Sequence, residues 1–265
     1  MSRKLRLDAE LVRRGLARSR DQAAALIADG RVAVAGQLAA KAASQVATDT
    51  AITVEQTDDQ PGYASRGGYK LAGGLAAFDG LAVAGRRCLD AGASTGGFTD
   101  VLLRAGAAHV IAVDVGYGQL AWSLRTDDRV TVLDRVNVRT LTPEQVTPAP
   151  ELVVADLSFI SLTLVLPALV GCAAPDADFV LMVKPQFEVG RDQVGGGVVR
   201  DPGLRAAAVA GVAAAAADLG LGVAGITASP LPGPSGNVEY FVWLRRSAPP
   251  LDAQMLEQAI AAGPR

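Results

Sequence analysis

The sequence predicts an α/β protein in which a small α+β module precedes a larger domain. The larger domain is expected to hold a mostly parallel sheet with an antiparallel last strand. Apolar strand-like runs alternate with helical runs through most of the chain, which is the pattern of a parallel sheet covered by helices on both faces. The length of 265 residues allows one large and one small domain, at roughly 100–200 residues per domain.

Charge divides the chain in the same way. Residues 1–54 hold nine basic and five acidic residues, a net charge of +4, whereas the rest holds 16 basic and 22 acidic residues, a net charge of −6. A basic module joined to an acidic domain indicates an anionic partner for the module. The polar stretch 55–65 contains Pro and Gly and is predicted to link a first domain at 1–54 to a second at 66–265.

Composition excludes several classes of protein. Half of the residues are apolar and a fifth are charged, which is ordinary for a globular protein and excludes intrinsic disorder. Cys88 and Cys172 are the only cysteines and His109 is the only histidine, so we expect no disulfide scaffold and no metal site. The charged N-terminus is unlike a signal peptide, and Pro167 interrupts the longest uncharged stretch, 157–175. A cytoplasmic protein without a membrane span is therefore expected.

Two helices are predicted in the basic module. Asp8 is expected to cap the first helix, which runs to Leu16. Ser19 and Gln22 have the spacing of a capping box for the second helix, and Gly30 is expected to end it. Strands are predicted at 31–37 and 51–54.

Basic side chains cluster along the N-terminus and around the junction of these two helices. On charge alone, a solvated surface and a nucleic-acid interface are about equally good interpretations. The segment RLDAELVRRGLARSRDQAAALIADGRVAVAGQ resembles the S4 RNA-binding domain, which favours the second interpretation. The residues predicted to contact RNA are Arg3, Lys4, Arg6, Arg13, Arg14, Arg18 and Arg20.

The larger domain alternates strands and helices. Because the last strand follows little more than a tight loop, it is expected to run antiparallel to its neighbours. Strands are predicted at 87–93, 109–115, 130–136, 151–157, 178–185, 222–228 and 238–246, and helices near 67–79, 97–106, 118–127, 160–172 and 204–219.

A glycine-rich loop follows the first predicted strand of this domain. Gly92, Gly96 and Gly97 in LDAGASTGGFTD would let the backbone approach a ligand closely as the next helix begins. The segment lacks the GK[ST] ending of a phosphate loop and the G-x-G-x-x-G spacing of a dinucleotide site. Asp90 precedes the first glycine, and Asp114 ends the next strand, where a carboxylate can bind the hydroxyls of an adenosine ribose. The pattern favours S-adenosylmethionine (SAM); the alternative is that both acids only cap local structure.

Charged residues stand directly after the fourth and fifth predicted strands. Asp156 and Lys184 therefore fall at the carboxyl edge of the sheet, where ligands bind in open α/β folds. Glu239 begins the antiparallel last strand and is expected beside Lys184. Lys70 lies in the helix before the first strand and could cover the same edge. Only four of the 25 basic residues are lysines, and lysine, unlike arginine, can lose its proton at a site. The alternative is two structural ion pairs, Asp156–Lys184 and Lys70–Glu239.

Six segments resemble the TlyA family of ribosomal RNA 2′-O-methyltransferases, which combine an S4 domain with a catalytic domain like that of the FtsJ ribose methyltransferases. They are SRGGYK, LDAGASTGGFTD, VDVGYGQLAWSLR, VVADLSFISL, VKPQFEVG and SPLPGPSGNVEYFVWL. The resemblance implies a Rossmann-like, SAM-dependent methyltransferase fold and a catalytic tetrad of Lys70, Asp156, Lys184 and Glu239. The residues predicted to bind the cofactor, from the resemblance and from the loop itself, are Asp90, Gly92, Ala93, Ser94, Gly96, Gly97, Phe98, Asp114 and Tyr117.

The resemblance also implies the substrate and the partners. Members of the family modify cytidine riboses in small- and large-subunit ribosomal RNA and affect sensitivity to capreomycin-type antibiotics. The extended ends, Met1–Arg6 and a helical tail from Leu251, resemble the longer type that acts on both subunits. The aromatic linker of the family is replaced here by PGYA, so a linker function is not carried over. A monomer or weak dimer is expected.

In the mechanism that these residues predict, Lys184 is the base that removes the proton of a ribose 2′-hydroxyl. Asp156 would position Lys184, while Lys70 and Glu239 would orient the ribose. Two rival functions predict other behaviour. A non-catalytic ribosome-binding assembly factor would need no complete tetrad, and a pore-forming haemolysin would need convincing membrane-spanning segments.

Further residues near the predicted site are candidates for contacts with RNA. Tyr117 and Phe159 could stack on the adenine or on an extruded base, with ordinary core packing as the alternative. The glycine-containing stretch 186–201, with Arg191 and Arg200, is a candidate lid or RNA clamp; a plain connector is the alternative.

Overall fold

The computed structural model describes residues 4–17, 19–28, 30–54, 62–190 and 194–263. Contacts within the chain divide it into one unit at Met1–Gly62 and a second at Tyr63–Arg265. Predicted features that lie outside the described residues are Arg3, Arg18, residues 55–61 of the linker and Arg191.

The first unit contains short helices and two small antiparallel sheets around its own apolar core. Its elements are β1 (Lys4–Arg6), α1 (Leu7–Arg13), α2 (Arg20–Ala28), β2 (Val32–Val34), β3 (Gln37–Leu38), β4 (Gln45–Ala47) and β5 (Ile52–Val54). Strand β1 pairs with β4, and β2 pairs with β3 and β5. The sequence did not predict β1 and β4, because three-residue strands are too short to show an alternating pattern.

The expected cap of the first helix is wrong. Helix α1 begins at Leu7, one residue before Asp8, and its N-cap makes no side-chain hydrogen bond. The backbone N–H groups of Leu7 and Asp8 donate instead to the carbonyls of Ser44 and Ala42, at 2.7 and 3.0 Å. Asp8 lies inside the helix and is buried, and its Oδ1 still accepts a hydrogen bond from the Ala9 backbone N–H of the first turn at 2.8 Å.

The second helix starts as the sequence predicts. Ser19 precedes α2, and its Oγ accepts a hydrogen bond from the Gln22 backbone N–H at 3.1 Å. Gly30 follows the helix with a φ of +68°, the left-handed conformation that commonly ends helices at glycine.

The second unit is built on a seven-stranded sheet with helices on both faces. Its helices and strands are α3 (Arg66–Ala76), β6 (Arg87–Ala91), α4 (Gly97–Arg104), β7 (His109–Asp114), α5 (Trp122–Arg125), β8 (Val130–Asp134), β9 (Leu152–Ala155), α6 (Leu166–Cys172), β10 (Asp178–Val183), α7 (Pro185–Glu188), α8 (Pro202–Ala217), β11 (Gly222–Ala228), β12 (Tyr240–Arg245) and α9 (Ala253–Ala261). Short 3₁₀ turns lie at Val138–Thr140, Pro143–Val146, Leu162–Leu164 and Gly195–Gly197.

The sheet confirms the predicted topology. The strand order is β11-β12-β10-β9-β6-β7-β8, and β12 runs antiparallel to both of its neighbours. Strands β9 and β10 are buried along their whole length, which explains their continuous apolar runs. The chain returns from β8 to pair β9 with β6, and this reversal opens a crevice at the carboxyl ends of β6 and β9, where ligands bind in such folds.

Three predicted helices are shorter than expected, and the first of them, α1, ends at Arg13 instead of Leu16. Helix α5 has only four residues, because the chain before it turns through Gly118 at a φ of +66°. The predicted helix 160–172 begins at Leu166 after a 3₁₀ turn, with Pro167 in its first turn, where proline is tolerated. Among the described residues, no helix combines the length and the apolar character that crossing a membrane requires.

Candidate active site

The carboxyl edge of the sheet gathers the four residues of the predicted tetrad. Asp156 follows β9 and Lys184 follows β10, which are adjacent parallel strands. The pairing of β10 with β12 ends at Val183 and Tyr240. One residue further along the same register, Glu239 lies opposite Lys184. Lys70 reaches Glu239 from α3.

Two ion pairs join these side chains, and they differ in burial. Lys70 Nζ lies 2.5 Å from Glu239 Oε2, with side chains 8% and 1% exposed. Lys184 Nζ lies 2.6 Å from Asp156 Oδ1, with side chains 11% and 24% exposed. These are the two pairs that the sequence left open as structural. The first pair is almost completely buried, with only Lys70 keeping a small exposed surface, whereas the second opens to solvent at Asp156, so a ligand can reach it.

Two polar residues that sequence reasoning missed hold the loops after β9 and β10. Ser158 Oγ accepts a hydrogen bond from Lys184 Nζ at 3.1 Å. Glu188 accepts hydrogen bonds from Ser161 Oγ and the Leu162 backbone N–H, at 2.5 and 2.9 Å, and burial raises the pKa of its carboxyl. Single polar residues in loops show no periodic pattern. Their closeness in sequence to Asp156 and Lys184 was the only feature that could have identified them as site residues.

The glycines of the loop after β6 are required by the protein's own packing. Gly92 and Gly96 have φ angles of +87° and +97°, which other residues rarely adopt. A Cβ on Gly92 would lie 2.5 Å from the Asp156 carbonyl oxygen, and a Cβ on Gly97 would overlap Ser65 at the start of α3. These contacts, and not only room for a ligand, explain why the loop needs glycine.

Asp114 is fixed at the end of β7 by two backbone amides. Its Oδ2 accepts from the Ser94 N–H at 2.8 Å, and its Oδ1 accepts from the Gly116 N–H at 2.6 Å. Each carboxylate oxygen keeps a further lone pair that can accept a ligand hydroxyl. Three residues later, Tyr117 is exposed, and the Arg135 guanidinium lies 4.3 Å from the centre of its ring.

Three of the predicted cofactor residues point into the protein. Asp90, Ala93 and Phe98 are buried, and the Phe98 ring centre lies 6.0 Å from that of Phe241. Asp90 Oδ2 accepts a hydrogen bond from Thr99 Oγ1 at 2.6 Å, while its Oδ1 has no partner among the described residues. Burial, with smaller contributions from neighbouring carboxylates, raises the pKa of Asp90 to about 7.

The acids around this loop suit a cationic ligand. Asp156 and Asp114 are close enough to Asp90 for their charges to raise its pKa, and such surroundings repel a phosphate and attract a cation. The unpartnered Oδ1 of Asp90 and the carboxylate of Asp114 fit SAM, which carries an ammonium, a sulfonium and a ribose diol. Within the described ranges, no group of His, Cys, Asp or Glu side chains could hold a metal ion.

An aromatic pair borders Lys184 and Asp156. Phe159 is 91% exposed and has a φ of +65°, a conformation that is costly for a residue other than glycine. Its ring centre lies 5.2 Å from that of Phe187, a residue that sequence reasoning missed although it follows Lys184 by three positions. An exposed ring at such a site offers a stacking face to a planar group.

In the first unit, two buried acids organise most of the predicted RNA contacts. Each acid binds two arginines, while Lys4 is simply exposed. The ion pairs are Asp8 with Arg6 and Arg20, and Glu10 with Arg13 and Arg14.

Comparison with known proteins matches both units. Residues 63–246 match the FtsJ-like methyltransferase family, and residues 5–52 match the S4 domain. The "16S/23S rRNA (cytidine-2'-O)-methyltransferase TlyA" of Mycobacterium tuberculosis is 64% identical over 262 residues, which are 98% of this chain and 97% of the relative. "Hemolysin A" of Brachyspira hyodysenteriae is 37% identical over 238 residues, 89% of this chain and 98% of the relative. A solved structure of a hemolysin-named protein from Streptococcus thermophilus is 38% identical with a TM-score of 0.77, and the match covers 98% of this chain and 96% of that one.

Proposed function

Because the chain belongs to the TlyA family, which joins an S4 domain to an FtsJ-like methyltransferase domain, we propose that it transfers a methyl group from SAM to the ribose 2′-oxygen of cytidines in ribosomal RNA. Both ribosomal subunits are proposed substrates, with an effect on sensitivity to capreomycin-type antibiotics. The observation that supports this most strongly is the convergence of Lys70, Asp156, Lys184 and Glu239 at one sheet edge, next to an acid-lined loop.

Lys184 is the proposed base. A ribose 2′-hydroxyl is a weak nucleophile, so its proton must leave as the oxygen attacks the methyl carbon in line with the departing sulfur. Lys184 Nζ takes this proton when it is present as the amine. Asp156 holds this nitrogen in place, with Oδ1 2.6 Å from Lys184 Nζ. When bound, SAM would supply the methyl group.

Lys70 and Glu239 are proposed to orient the ribose. Their pair is almost completely buried, and Gly233 packs so closely that a Cβ there would lie 2.7 Å from Glu239 Oε1. The carboxylate is therefore fixed, and it holds the Lys70 ammonium in one place. That ammonium, the more exposed group of the pair, is the one that would touch the substrate.

The loop after β6 and the end of β7 are proposed to hold the cofactor. Asp114 would accept hydrogen bonds from the ribose hydroxyls, because its two oxygens are already oriented by backbone amides. The backbone of Gly92–Gly97 would line the methionine part, with Asp90 beneath it. Tyr117, which is exposed, would lie against the adenine.

The RNA is proposed to bind through stacking and through basic side chains. Phe159 would stack on an extruded cytidine, since chemistry inside a folded RNA usually needs the nucleotide to leave its stack. The arginines of the first unit would bind backbone phosphates, apart from Arg14, whose guanidinium donates to Glu10 and to the carbonyls of Thr48 and Thr50. Arg200, near the end of the predicted clamp 186–201, is exposed and would add a further phosphate contact. We propose a cytoplasmic protein that acts as a monomer or weak dimer.

A methyl-transfer assay tests this function. The protein is incubated with radiolabelled SAM and unmodified ribosomal subunits, and SAM binding is measured separately by calorimetry. Lys184→Ala is expected to keep SAM binding and lose transfer, while Gln258→Ala, which replaces an exposed residue of α9, serves as the control. Transfer by Lys184→Ala at the wild-type rate would remove Lys184 as the base. Subunit binding without SAM consumption by the wild type would favour a non-catalytic assembly factor.

A further inference from the structure

Asp8 joins three elements of the first unit through one buried carboxylate. The residue is 4% exposed. Its Oδ1 accepts from Arg6 Nε at 3.1 Å, and its Oδ2 accepts from Arg6 Nη2 at 2.9 Å and from Arg20 Nη2 at 3.0 Å. Arg6 ends β1 and Arg20 begins α2. The two hydrogen bonds from Arg6, with the one from Arg20, hold the pKa of this carboxyl well below its usual value despite its burial.

The two arginines remain open to solvent on their other side. The side chains of Arg6 and Arg20 are 45% and 58% exposed. Among the described residues, Nη1 of Arg6 and both Nε and Nη1 of Arg20 donate to no acceptor. Asp8, Arg6 and Arg20 together form the Asp8 triad, which carries a net charge of +1. A planar guanidinium donates well to the oxygens of a phosphate.

The second buried acid of α1 serves the fold instead. Glu10 is fully buried and pairs with Arg13 and Arg14. The Arg14 guanidinium also donates to the carbonyls of Thr50 and Thr48, at 2.7 and 3.0 Å. Because its donors are used within the protein, Arg14 anchors α1 to the chain after β4. Arg13 is 53% exposed, but Arg14, the other arginine on Glu10, is only 21% exposed. Of these two buried acids, only Asp8 therefore holds two arginines that are both largely exposed.

We propose that Asp8 is a positioning residue for RNA binding, which holds Arg6 and Arg20 as a two-armed clamp for a backbone phosphate. The proposal rests on the proposed function, because it takes ribosomal RNA as the partner. A free arginine loses side-chain freedom when it binds a phosphate, which weakens binding. Attachment to a buried carboxylate removes much of that freedom before the RNA arrives.

Asp8→Asn separates positioning from charge, because the two effects have opposite signs. The variant gains one positive charge, and attraction to phosphate alone would tighten binding. Positioning predicts the reverse, a dissociation constant about tenfold higher for purified, unmodified large ribosomal subunits. Asp21→Asn makes the same charge change at an exposed residue next to Arg20 and is expected to bind as tightly as the wild type or more tightly.

A second set of variants keeps the test valid if Asp8→Asn folds poorly, which thermal melting would show. Arg6→Lys and Arg20→Lys preserve the charge and lose the planar fork, and each is expected to weaken binding about fivefold. In the Asp8→Asn protein, Arg20→Lys should add little further loss, since the clamp is already released.

Three outcomes would overturn the proposal. They are unchanged or tighter binding by Asp8→Asn, undiminished binding by both lysine variants, and fully additive losses in the double variant. A wild-type protein that does not bind subunits would overturn the proposed function, and the clamp with it. Wild-type binding that Asp8→Asn leaves unchanged would overturn the clamp alone.

Discussion

Two variants, Glu239→Gln alone and Glu239→Gln combined with Lys70→Met, test whether the buried Lys70–Glu239 pair has a role beyond stability. The two side chains are 8% and 1% exposed, with Nζ and Oε2 2.5 Å apart. Removing one charge of a buried pair leaves the other uncompensated and costs about 3–5 kcal/mol of unfolding free energy. In a unit of the size of residues 63–265, each kcal/mol lowers Tm by about 2–4 °C, so the expected fall is about 6–20 °C.

Lys70→Met combined with Glu239→Gln removes both charges and should recover most of that stability. Methyl transfer should nevertheless stay about 100-fold below the wild-type rate, because the group that orients the ribose is gone. Calorimetry measures Tm, and transfer of radiolabelled methyl groups to ribosomal subunits measures activity. A double variant that regains both stability and transfer would refute the catalytic role. A single variant that melts within about 2 °C of the wild type would refute the energetic argument from burial.

Three further predictions concern the loop after β6 and its surroundings. Burial raises the pKa of Asp90 to about 7 in the folded protein, so the folded protein keeps a proton on Asp90 that the unfolded chain releases near pH 4. The contribution of Asp90 to the free energy of unfolding should therefore fall by up to about 4 kcal/mol as pH rises from about 4 to 7. Asp90→Asn should flatten that part of a Tm–pH profile, and an unaltered profile would contradict the assignment. Gly92→Ala should cost about 1–3 kcal/mol in denaturant unfolding, since its φ is +87° and its Cβ would lie 2.5 Å from the Asp156 carbonyl oxygen. Gly171→Ala, in a helix with open space around it, should instead stabilise by up to about 1 kcal/mol, and equal effects at the two sites would count against this packing argument. Phe159→Ala should leave unfolding free energy within about 0.5 kcal/mol of the wild type, because the ring is 91% exposed, yet lower kcat/KM for methyl transfer at least tenfold; unaltered kinetics would exclude stacking on the substrate.

The topology of the second unit could be predicted because its signals are regular. Continuous apolar runs identify buried parallel strands, and parallel strands end at one edge, which located Asp156 and Lys184. The short loop before the last strand predicted its reversed direction, and this in turn located Glu239 beside Lys184. The scarcity of lysines pointed to Lys70, but only the resemblance to a family placed it in a catalytic tetrad, because a lysine in a helix shows nothing of what it faces.

Buried charges were beyond what the sequence could predict. Asp8 is a residue type that often caps helices, but it lies one residue inside α1 and backbone carbonyls of a loop bind the N–H groups of Leu7 and Asp8. Its carboxylate accepts from the Ala9 N–H and also from Arg20, which is 12 residues away. The burial of Glu10 likewise depends on two arginines that fold around it. Charged residues are rarely buried unless they are paired, and which residues pair is fixed only by the fold. Phe187 was missed for the same reason, since its contact with Phe159 joins two different loops.

Mass-spectrometric mapping of methyl groups on ribosomal RNA tests the central claim most directly. Unmodified ribosomal subunits are incubated with SAM and either the wild-type protein or Lys184→Ala, and the RNA is digested and sequenced by mass. We predict new methyl groups on the 2′-oxygen of cytidines with the wild type, and none with Lys184→Ala. Methyl groups on bases, no methyl groups with the wild type, or the same 2′-O-methylcytidines with Lys184→Ala would contradict it.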